Sequence, residues 1–365
     1  MPKLPALIFF DEQTGGLKIA ALTLLDRLVV AVHRAGAGSI TVVARDTPSG
    51  LKRATAFGIS LRVAPKPPAR NGATLVASSN LLVQAADVRA LLEHGGRLAT
   101  GSGTPLPIGV LPPGETPWES SLSGLPIRAA KGVACRVADA DTARQAERAL
   151  WASLSSSSDG LVDRVFNRPC GRPLSKLLVH TPITPNAVTL ASIAIGLVAA
   201  WFFAIGTYAA GVFAAILFQF STIVDCVDGD LARVLLKESP FGKWLDLGGD
   251  QVVHVAVFAA IAVGLVRSGQ SPYGVWLGLS AGLGAVLSFA VVVRGLRRPA
   301  NHPNGLLSKL IDSATNRDFS VLILVLAGIG RLEWFLWMTA IGSHLFWMTA
   351  LALQLSLRSE GTRAR

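Results

Sequence analysis

The sequence has few cysteines, and its N-terminus does not resemble a signal peptide. Cys135, Cys170 and Cys226 are widely spaced and form no Cys-x-x-Cys pair or other metal-ligand pattern. We therefore expect reduced structural thiols. The run Ala6–Phe10 is short and typical of a strand, and it lacks the preceding basic residues of a secretory signal. The first part of the chain is therefore expected to stay in the cytoplasm.

Acidic residues are also scarce relative to basic ones. The 365 residues include 34 lysines and arginines against 23 aspartates and glutamates, which gives a formal net charge of +11. A net positive charge is compatible with nucleic-acid binding, but the sequence contains no nucleic-acid recognition motif. The basic residues lie beside long apolar runs, which favours an anionic membrane surface or phosphorylated substrates. We predict membrane lipids, and no nucleic acid, as partners.

Long apolar runs are missing from the first 150 residues and dominate the rest, so the sequence predicts two domains. We assign residues 1–154 to a cytoplasmic domain, 155–182 to a linker and juxtamembrane segment, and 183–365 to a transmembrane domain. In the first domain, strand-like runs at Leu7–Phe10 and Ser39–Ala44 flank helical spacing at Ala20–Ala35. This alternation predicts an α/β fold with a mostly parallel sheet. The stretch Gly101–Pro117, rich in proline and glycine, is predicted to be a loop.

The juxtamembrane segment, residues 160–180, is basic and amphipathic. Its cations recur every four residues: Arg164, Arg168, Arg172 and Lys176. The pattern predicts a segment that lies on the membrane surface and is broken at Pro169 and Pro173. A solvated linker helix is the alternative.

Six apolar stretches follow, most of them close to the roughly 20 residues needed to cross a bilayer. They are residues 187–207, 209–236, 241–267, 273–294, 318–331 and 334–356, of which the fifth is short. Lysine and arginine concentrate between spans two and three, between four and five, and after span six. Because positive connections stay in the cytoplasm, this asymmetry places both termini there. We expect an all-α bundle of six helices in the cytoplasmic (inner) membrane.

Four carboxylates lie inside the second and third predicted spans, where an unpaired charge is costly. They are Asp225, Asp228, Asp246 and Asp250. The first two are three residues apart and the last two are four apart, so each pair shares one helix face. The spans are antiparallel and joined by a short cytoplasmic loop, so the faces can meet. Converging carboxylate oxygens predict a site for Mg²⁺ or Mn²⁺. Structural pairing with Arg233 and Lys243 is the alternative, but two cations cannot neutralise four buried carboxylates.

The residues between the carboxylates suit a phosphorylated ligand. Gly229 and Gly242 permit close approach of a phosphate or another backbone. Arg233 provides a guanidinium that can bind a phosphate or a carboxylate. A metal, an arginine and a carboxylate together neutralise phosphates, position them and deprotonate a nucleophile. The sequence therefore predicts phosphoryl-group transfer.

The pattern Asp-x2-Asp-Gly-x2-Ala-Arg-x8-Gly-x3-Asp-x3-Asp at residues 225–250 resembles the full signature of the CDP-alcohol phosphotransferases. The resemblance implies a six-helix, usually dimeric membrane enzyme with its site open to the cytoplasm. Such enzymes transfer a substituted phosphate from a CDP-alcohol donor to an acceptor hydroxyl and release CMP. By this resemblance Asp225, Asp228 and Asp246 bind the metals. Asp250 is the general base and a further neighbour of the metal.

The same resemblance implies which residues bind the CDP moiety. These are Gly229, Ala232, Arg233 and Gly242. Pro185, Asn186 and Thr189, which open the first span, resemble the family's Pro-Asn-x-x-Thr element near the nucleotide. An ordinary helix N-cap accounts for Asn186 alone but not for the combination.

Three further stretches resemble the di-myo-inositol-phosphate-phosphate synthase type, which archaea and some bacteria fuse to a cytidylyltransferase domain. They are Asp159–Pro169, Asn316–Phe319 and Ser343–Trp347. This resemblance covers about residues 140–356 and implies an inositol or polyol phosphate as acceptor. Arg317 and, more weakly, Arg294 are predicted to bind the acceptor's phosphate. Anchoring at the lipid surface is the alternative for both arginines.

The first domain resembles a nucleotide-sugar-type nucleotidyltransferase but departs from it at two places. The active family has a Gly-rich loop with arginine and lysine after the first strand, where Phe10–Lys18 is acidic instead. The metal-binding aspartate expected after the central strand is replaced near Ser78–Asn80. Asp139–Thr142 is similar to the Asp-x-Asp-Thr ending of such domains. We predict a degenerate domain, inactive or altered in activity.

Three other functions are compatible with parts of this sequence pattern. A phospholipid synthase of the same family would use CDP-diacylglycerol. An ion-coupled transporter would use the same carboxylates, but transporters place them near the midplane on broken helices. A membrane-anchored enzyme that makes nucleotide sugars in its first domain is disfavoured by the missing loop.

Overall fold

The computed structural model describes residues 3–114, 118–154, 160–296 and 319–363. The chain divides into two compact units. The first comprises the residues up to Leu154, and the second comprises nearly all that follow. Each unit has its own apolar core of buried aliphatic and aromatic side chains.

The first unit combines short strands with helices. Its described strands are β1 Ala6–Phe9, β2 Lys18–Ile19, β3 Leu22–Thr23, β4 Ile40–Val43, β5 Leu61–Ala64, β6 Thr74–Ser78, β7 Leu81–Leu82, β8 Gly96–Ala99, β9 Pro105–Leu111, β10 Ile127–Ala129 and β11 Cys135–Arg136. Its described helices are α1 Leu24–Ala35, α2 Lys52–Ala56, α3 Ala85–His94, α4 Trp118–Ser121 and α5 Ala140–Ala152. Helix α1 starts later than its sequence pattern predicted, because β2 and β3 form a hairpin just before it.

Seven strands form one sheet in the order β10-β8-β9-β6-β1-β4-β5. Four pairings are parallel: β1 with β4, β1 with β6, β4 with β5, and β8 with β10. Strand β9 is antiparallel to both its neighbours. Residues on β1 and β6 such as Ile8 and Leu75 are fully buried, as the centre of a covered sheet requires. The predicted α/β fold with a mostly parallel sheet is confirmed.

The predicted loop at Gly101–Pro117 is wrong, because strand β9 lies within it. Leu106 and Ile108 point to the buried side in the alternating manner of a strand. The pairing of β9 with β6 runs from Ala77 opposite Ile108 to Thr74 opposite Leu111. Pro105 and Pro107 therefore lie beyond that pairing, where a missing backbone N–H costs no bond to β6.

The second unit is helical. Its described helices are α6 Arg168–Leu178, α7 Pro185–Phe203, α8 Tyr208–Val234, α9 Pro240–Arg267, α10 Gly274–Leu296, α11 Phe319–Gly328 and α12 Leu332–Arg363. Five of them, namely α7, α8, α9, α10 and α12, contain stretches long and apolar enough to cross a membrane. These helices make the chain an integral membrane protein. The predicted fifth span corresponds to α11, whose ten described residues extend only about 15 Å.

The predicted break at Pro169 and Pro173 is wrong. A π-helical turn at Asp163–Asn167 leads directly into α6, and the helix continues through both prolines. The wider turn is closed by the Arg168 N–H, which bonds to the carbonyl of Asp163 five residues earlier. Pro169 then occupies the first turn of α6, where a helix tolerates a missing N–H.

The α7–α8 turn packs against α9 so closely that a side chain has no room there. A Cβ added at Gly264 would overlap the carbonyl oxygen of Phe203 and lie 3.3 Å from the Cα of Gly206. Gly264→Ala is therefore expected to destabilise the protein by about 1–3 kcal/mol, because backbone atoms cannot move aside easily. Thermal unfolding in detergent measures the change. Gly282→Ala on α10 is the matched control, since nothing lies within 4 Å of its added Cβ; equal midpoints for the two variants would contradict the prediction.

Candidate active site

Three of the four predicted carboxylates form one cluster where α8 and α9 approach each other. Asp225, Asp228 and Asp246 each offer an oxygen, and these oxygens all lie within 4.8 Å of one another. Asp225 and Asp228 are buried and Asp246 is half-buried. Helix α9 begins at this end because the Ser239 side chain accepts a hydrogen bond from the Gly242 N–H. The face-sharing argument therefore correctly predicted that the two helices would bring these carboxylates together.

The cluster has the chemistry of a divalent-cation site. Oxygen ligands around Mg²⁺ lie about 2.9–4.2 Å apart in an octahedron with bonds of about 2.1 Å. The three carboxylates approach that spacing, and a hard, all-oxygen donor set suits Mg²⁺ or Mn²⁺. Three buried or half-buried negative groups at one place repel each other unless a cation lies among them. The residues present therefore fit the metal that the sequence predicts.

Asp250 lies one helical turn beyond Asp246 on α9 and outside that cluster of three. Together with Asp225 it lines a small second cavity, which Ser192, Ser221, Thr222 and His254 also border. Asp250 is not one of the three carboxylates whose oxygens all lie within 4.8 Å of one another, and its role as general base stays a prediction.

Hydroxyl groups on α7 orient the carboxylates of α8. The Thr189 hydroxyl donates to Asp228 Oδ2, and the Ser192 hydroxyl donates to Asp225 Oδ1 at 3.2 Å. Ser221 in turn donates to the Ser192 carbonyl at 2.6 Å. Ser192 was missed by the sequence analysis, although its position three residues after Thr189 places both hydroxyls on one face of α7.

A larger cavity, of about 580 Å³, lies beside the carboxylate cluster. All seven residues predicted to bind the CDP moiety line it: Pro185, Asn186, Thr189, Gly229, Ala232, Arg233 and Gly242. Asp228 and Asp246 form part of the same wall. The volume falls within the range of small-molecule sites. The structure therefore brings the predicted donor residues together beside the carboxylate cluster.

Gly229 and Gly242 in this wall leave room for the side chains of Arg233 and Asn186. A Cβ at Gly229 would lie 3.2 Å from Nη2 of Arg233, and one at Gly242 would lie 2.9 Å from Oδ1 of Asn186. Asn186 is not the cap of α7, because Thr184 accepts the capping hydrogen bond from the Ala187 N–H. Asn186 is therefore available to line the cavity.

The two arginines predicted for the acceptor's phosphate are not both described. Arg294 is exposed near the C-terminal end of α10 and does not line the described cavity. Arg317 lies outside the described residues. The acceptor role of both residues stays a prediction.

The loop that follows β1 in the first unit is a closed turn. The Gly15 N–H bonds to the Asp11 carbonyl at 2.8 Å, and the Leu17 N–H bonds to the Thr14 carbonyl at 2.9 Å. The Asp11 carboxylate accepts from the Thr14 hydroxyl and the Asn80 amide. These backbone amides are engaged within the loop and cannot at the same time bind a triphosphate.

The Asp139–Thr142 motif serves a structural purpose at the start of α5. Asp139 and Thr142 form a capping box, in which each side chain bonds to the other residue's backbone N–H. Hydrogen bonds from the backbone and side chain of Thr142 lower the pKa of Asp139. Helix capping thus gives Asp139 and Thr142 of this motif a structural role.

The site lies in a part of the chain that matches a known protein family. The model of the CDP-alcohol phosphatidyltransferase family matches residues 182–357. The chain carries a CDP-alcohol phosphatidyltransferase domain. The match includes α7 to α11 and most of α12, so the carboxylate cluster and both cavities lie within this domain.

Two curated relatives share the narrower resemblance. The chain is 29% identical over 214 residues to a bifunctional IPC transferase and DIPP synthase of Archaeoglobus fulgidus, an alignment covering 55% of this chain and 40% of that protein. It is 31% identical over 153 residues to the protein of the same name in Thermococcus kodakarensis, covering 41% and 34%. The chain thus spans two-fifths of these relatives' length or less. The resemblance to the DIPP synthase type is confirmed.

One solved structure also aligns with part of the chain. Phosphatidylinositol phosphate synthase of Mycobacterium tuberculosis aligns with 49% of this chain and 93% of its own, at 20% identity and a TM-score of 0.37.

Proposed function

We propose that the helical unit is a metal-dependent transferase that moves a substituted phosphate from a CDP-alcohol to an acceptor hydroxyl and releases CMP. The observation that carries this proposal is the cavity whose wall combines Asp228 and Asp246 of the carboxylate cluster with every residue predicted to bind CDP. A binding site for a nucleotide pyrophosphate needs a cation site beside a groove with donors, and this wall supplies both. The transferase domain match supports the reaction class.

Arg233 is the residue best placed to hold the donor's phosphates. Its side chain is about one-third exposed at the cavity wall. The exposed part of its guanidinium can donate charge-assisted hydrogen bonds to a phosphate in the cavity. The Asn186 amide, opposite Gly242, offers further donors to the nucleotide.

Asp250 would take the proton of the acceptor hydroxyl. As the O–H bond breaks, the acceptor oxygen forms a bond to the β-phosphorus of the donor. The bond from that phosphorus to the bridging oxygen breaks, and its electron pair leaves with CMP. A Mg²⁺ or Mn²⁺ ion held by Asp225, Asp228 and Asp246 would neutralise charge on the pyrophosphate.

The acceptor in this proposal is an inositol or polyol phosphate, which is supported by the similarity to DIPP synthases. The second candidate is phospholipid synthesis with CDP-diacylglycerol as donor, which is favoured because residues of the cavity wall lie on helices long and apolar enough to cross a membrane. An ion-coupled transporter remains the less favoured alternative, because α8 and α9 run unbroken through the carboxylates.

The deciding experiment measures CMP release by the purified protein in detergent. It uses Mg²⁺ or Mn²⁺ and a panel of water-soluble and lipid CDP-alcohols, each with and without inositol phosphate, polyol phosphates and glycerol phosphate. Acceptor-dependent CMP release from one donor is the expected result. Release only from CDP-diacylglycerol would select the phospholipid alternative. No release from any donor would refute the transferase function.

The membrane arrangement in this proposal has six spans, both termini and the active site on the cytoplasmic side, and a homodimeric assembly. The five long apolar helices and the positive connections predicted from sequence support it. The exposed apolar side chains of residues 160–180, namely Leu161, Val165, Phe166 and Leu177, support contact with the lipid surface. Accessibility of single cysteines to a membrane-impermeant thiol reagent tests the topology.

The first unit is proposed to be a degenerate nucleotidyltransferase-like domain. The closed turn at Asp11–Leu17 and the amide at Asn80 in place of a carboxylate support this proposal. We expect no CDP-inositol from CTP and inositol phosphate with the full chain carrying Asp250→Asn, a change intended to prevent consumption of any product. Nucleotide chromatography measures the product, and robust synthesis of CDP-inositol would contradict the prediction.

A further inference from the structure

Two arginines share one carboxylate oxygen beside the large cavity. Arg168 Nη1 donates to Asp230 Oδ1 at 2.8 Å, and Arg233 Nη2 donates to the same oxygen at 3.0 Å. The Asp230 side chain is 1% exposed. Asp230 belongs neither to the cluster of three carboxylates nor to the residues that line the cavity. Its other oxygen, Oδ2, accepts from the Ser175 hydroxyl at 3.5 Å, so both oxygens are bonded within the protein.

The guanidinium of Arg233 is held from two sides. Gly229 lies beneath it, because a Cβ there would be 3.2–3.6 Å from Nη2, Nη1 and Cζ. Buried Asp230 accepts a hydrogen bond from Nη2 of Arg233. Arg233 has many rotamers, and fixing one of them in advance lowers the entropy lost when an anion binds.

The charges in this group leave Arg233 able to bind an anion. One carboxylate oxygen of Asp230 is shared by two guanidinium groups. Arg168 is almost fully buried, whereas Arg233 reaches the cavity wall. Arg233 is thus the arginine of this pair whose guanidinium can meet an anion in the cavity.

We propose that Asp230 is a positioning residue that fixes the guanidinium of Arg233 for the donor's phosphates, with Arg168 of α6 as its second partner. The inference rests on the proposed function, because it takes the cavity to be the donor site. It also gives a role to the Asn167-Arg168 part of the juxtamembrane motif. Asn167 is fully buried, and its side-chain oxygen Oδ1 accepts from Nε2 of Gln219 on α8 at 2.6 Å, which ties the residue before Arg168 to the helix that carries Asp230.

The test measures binding of CDP in the presence of Mn²⁺ by isothermal titration calorimetry on the full-length protein. Asp230→Asn is expected to weaken CDP binding about tenfold, and Arg233→Gln at least as much. The double variant is expected to bind no more weakly than Arg233→Gln alone, because Asp230 acts only through Arg233. Additive losses, or wild-type affinity in Asp230→Asn, would overturn the inference.

A second variant separates positioning from folding. Asp230→Asn leaves Arg168 buried without its carboxylate, whereas Arg168→Gln combined with Asp230→Asn removes both charges. This pair is expected to lose the same tenfold in CDP affinity. Recovery of wild-type affinity in the pair would show that loss of the Arg168–Asp230 ion pair caused the effect, and the inference would be wrong. Absence of CDP binding by the wild-type protein would instead refute the donor site, and the inference with it.

Discussion

Asp250→Asn is expected to slow CMP release by about 10²–10⁴-fold while CDP binding stays within about threefold of wild type. The substitution preserves the shape of the side chain but removes its ability to accept a proton. Asp250 lies outside the cluster of three closest carboxylate oxygens and lines the small cavity rather than the large one. Proton removal should therefore fail while donor binding remains. Single-turnover CMP release and CDP titration on the same preparation measure the two quantities.

The control for this experiment is Asp46→Asn, the same change at an exposed carboxylate in the first unit. It should leave CMP release unchanged. Wild-type turnover in Asp250→Asn would refute its role as the base. A parallel loss of CDP binding and of turnover would move Asp250 into the donor or metal site.

The core of the site was predictable because it depends on local spacing. Asp225 and Asp228 share a face through their separation of three residues, and Asp246 follows on the next, antiparallel helix. Helical periodicity fixes which side chains point together, and a short connection fixes which helices are neighbours. Both pieces of information are present in a sequence. The cluster of three carboxylates follows from them without any long-range contact.

The supporting contacts were not predictable, because they join residues far apart in the chain. Arg168 and Asp230 are separated by 62 residues, and Ser192 and Asp225 by 33. Periodicity says that Arg168 is one of four regularly spaced cations, but it does not say that this one is buried and paired. Only the packing of the juxtamembrane helix against α8 distinguishes Arg168 from Lys176, which is exposed.

Proline-rich sequence wrongly predicted a break in the juxtamembrane helix and a loop in place of strand β9. Pro169 stands in the first turn of α6, and Pro107 stands past the end of a strand pairing. Pro107 therefore loses no bond to β6. Pro173 lies inside α6 and does not end it, so a proline by itself does not show where a helix ends.

Asp228→Asn is expected to reduce metal-dependent CMP release by about 10³-fold or more, because a metal that neutralises phosphate charge contributes several kcal/mol to the barrier. Asp228 combines three features of the proposed site. It belongs to the cluster of three, lines the large cavity and accepts the Thr189 hydroxyl. Removing its charge should weaken Mn²⁺ binding as well, which electron paramagnetic resonance of free Mn²⁺ measures directly.

Thr189→Val makes the result interpretable, because it keeps the side-chain shape but removes the hydroxyl that orients Asp228. It should weaken Mn²⁺ binding by about 10–100-fold, as loss of an orienting hydrogen bond does, and excess Mn²⁺ should restore its turnover. Asp228→Asn should not recover at any Mn²⁺ concentration. If both variants instead kept wild-type Mn²⁺ affinity, the carboxylates would serve only to hold the helices together. The all-oxygen cluster predicts the opposite outcome, and Asp228→Asn tests that prediction most directly.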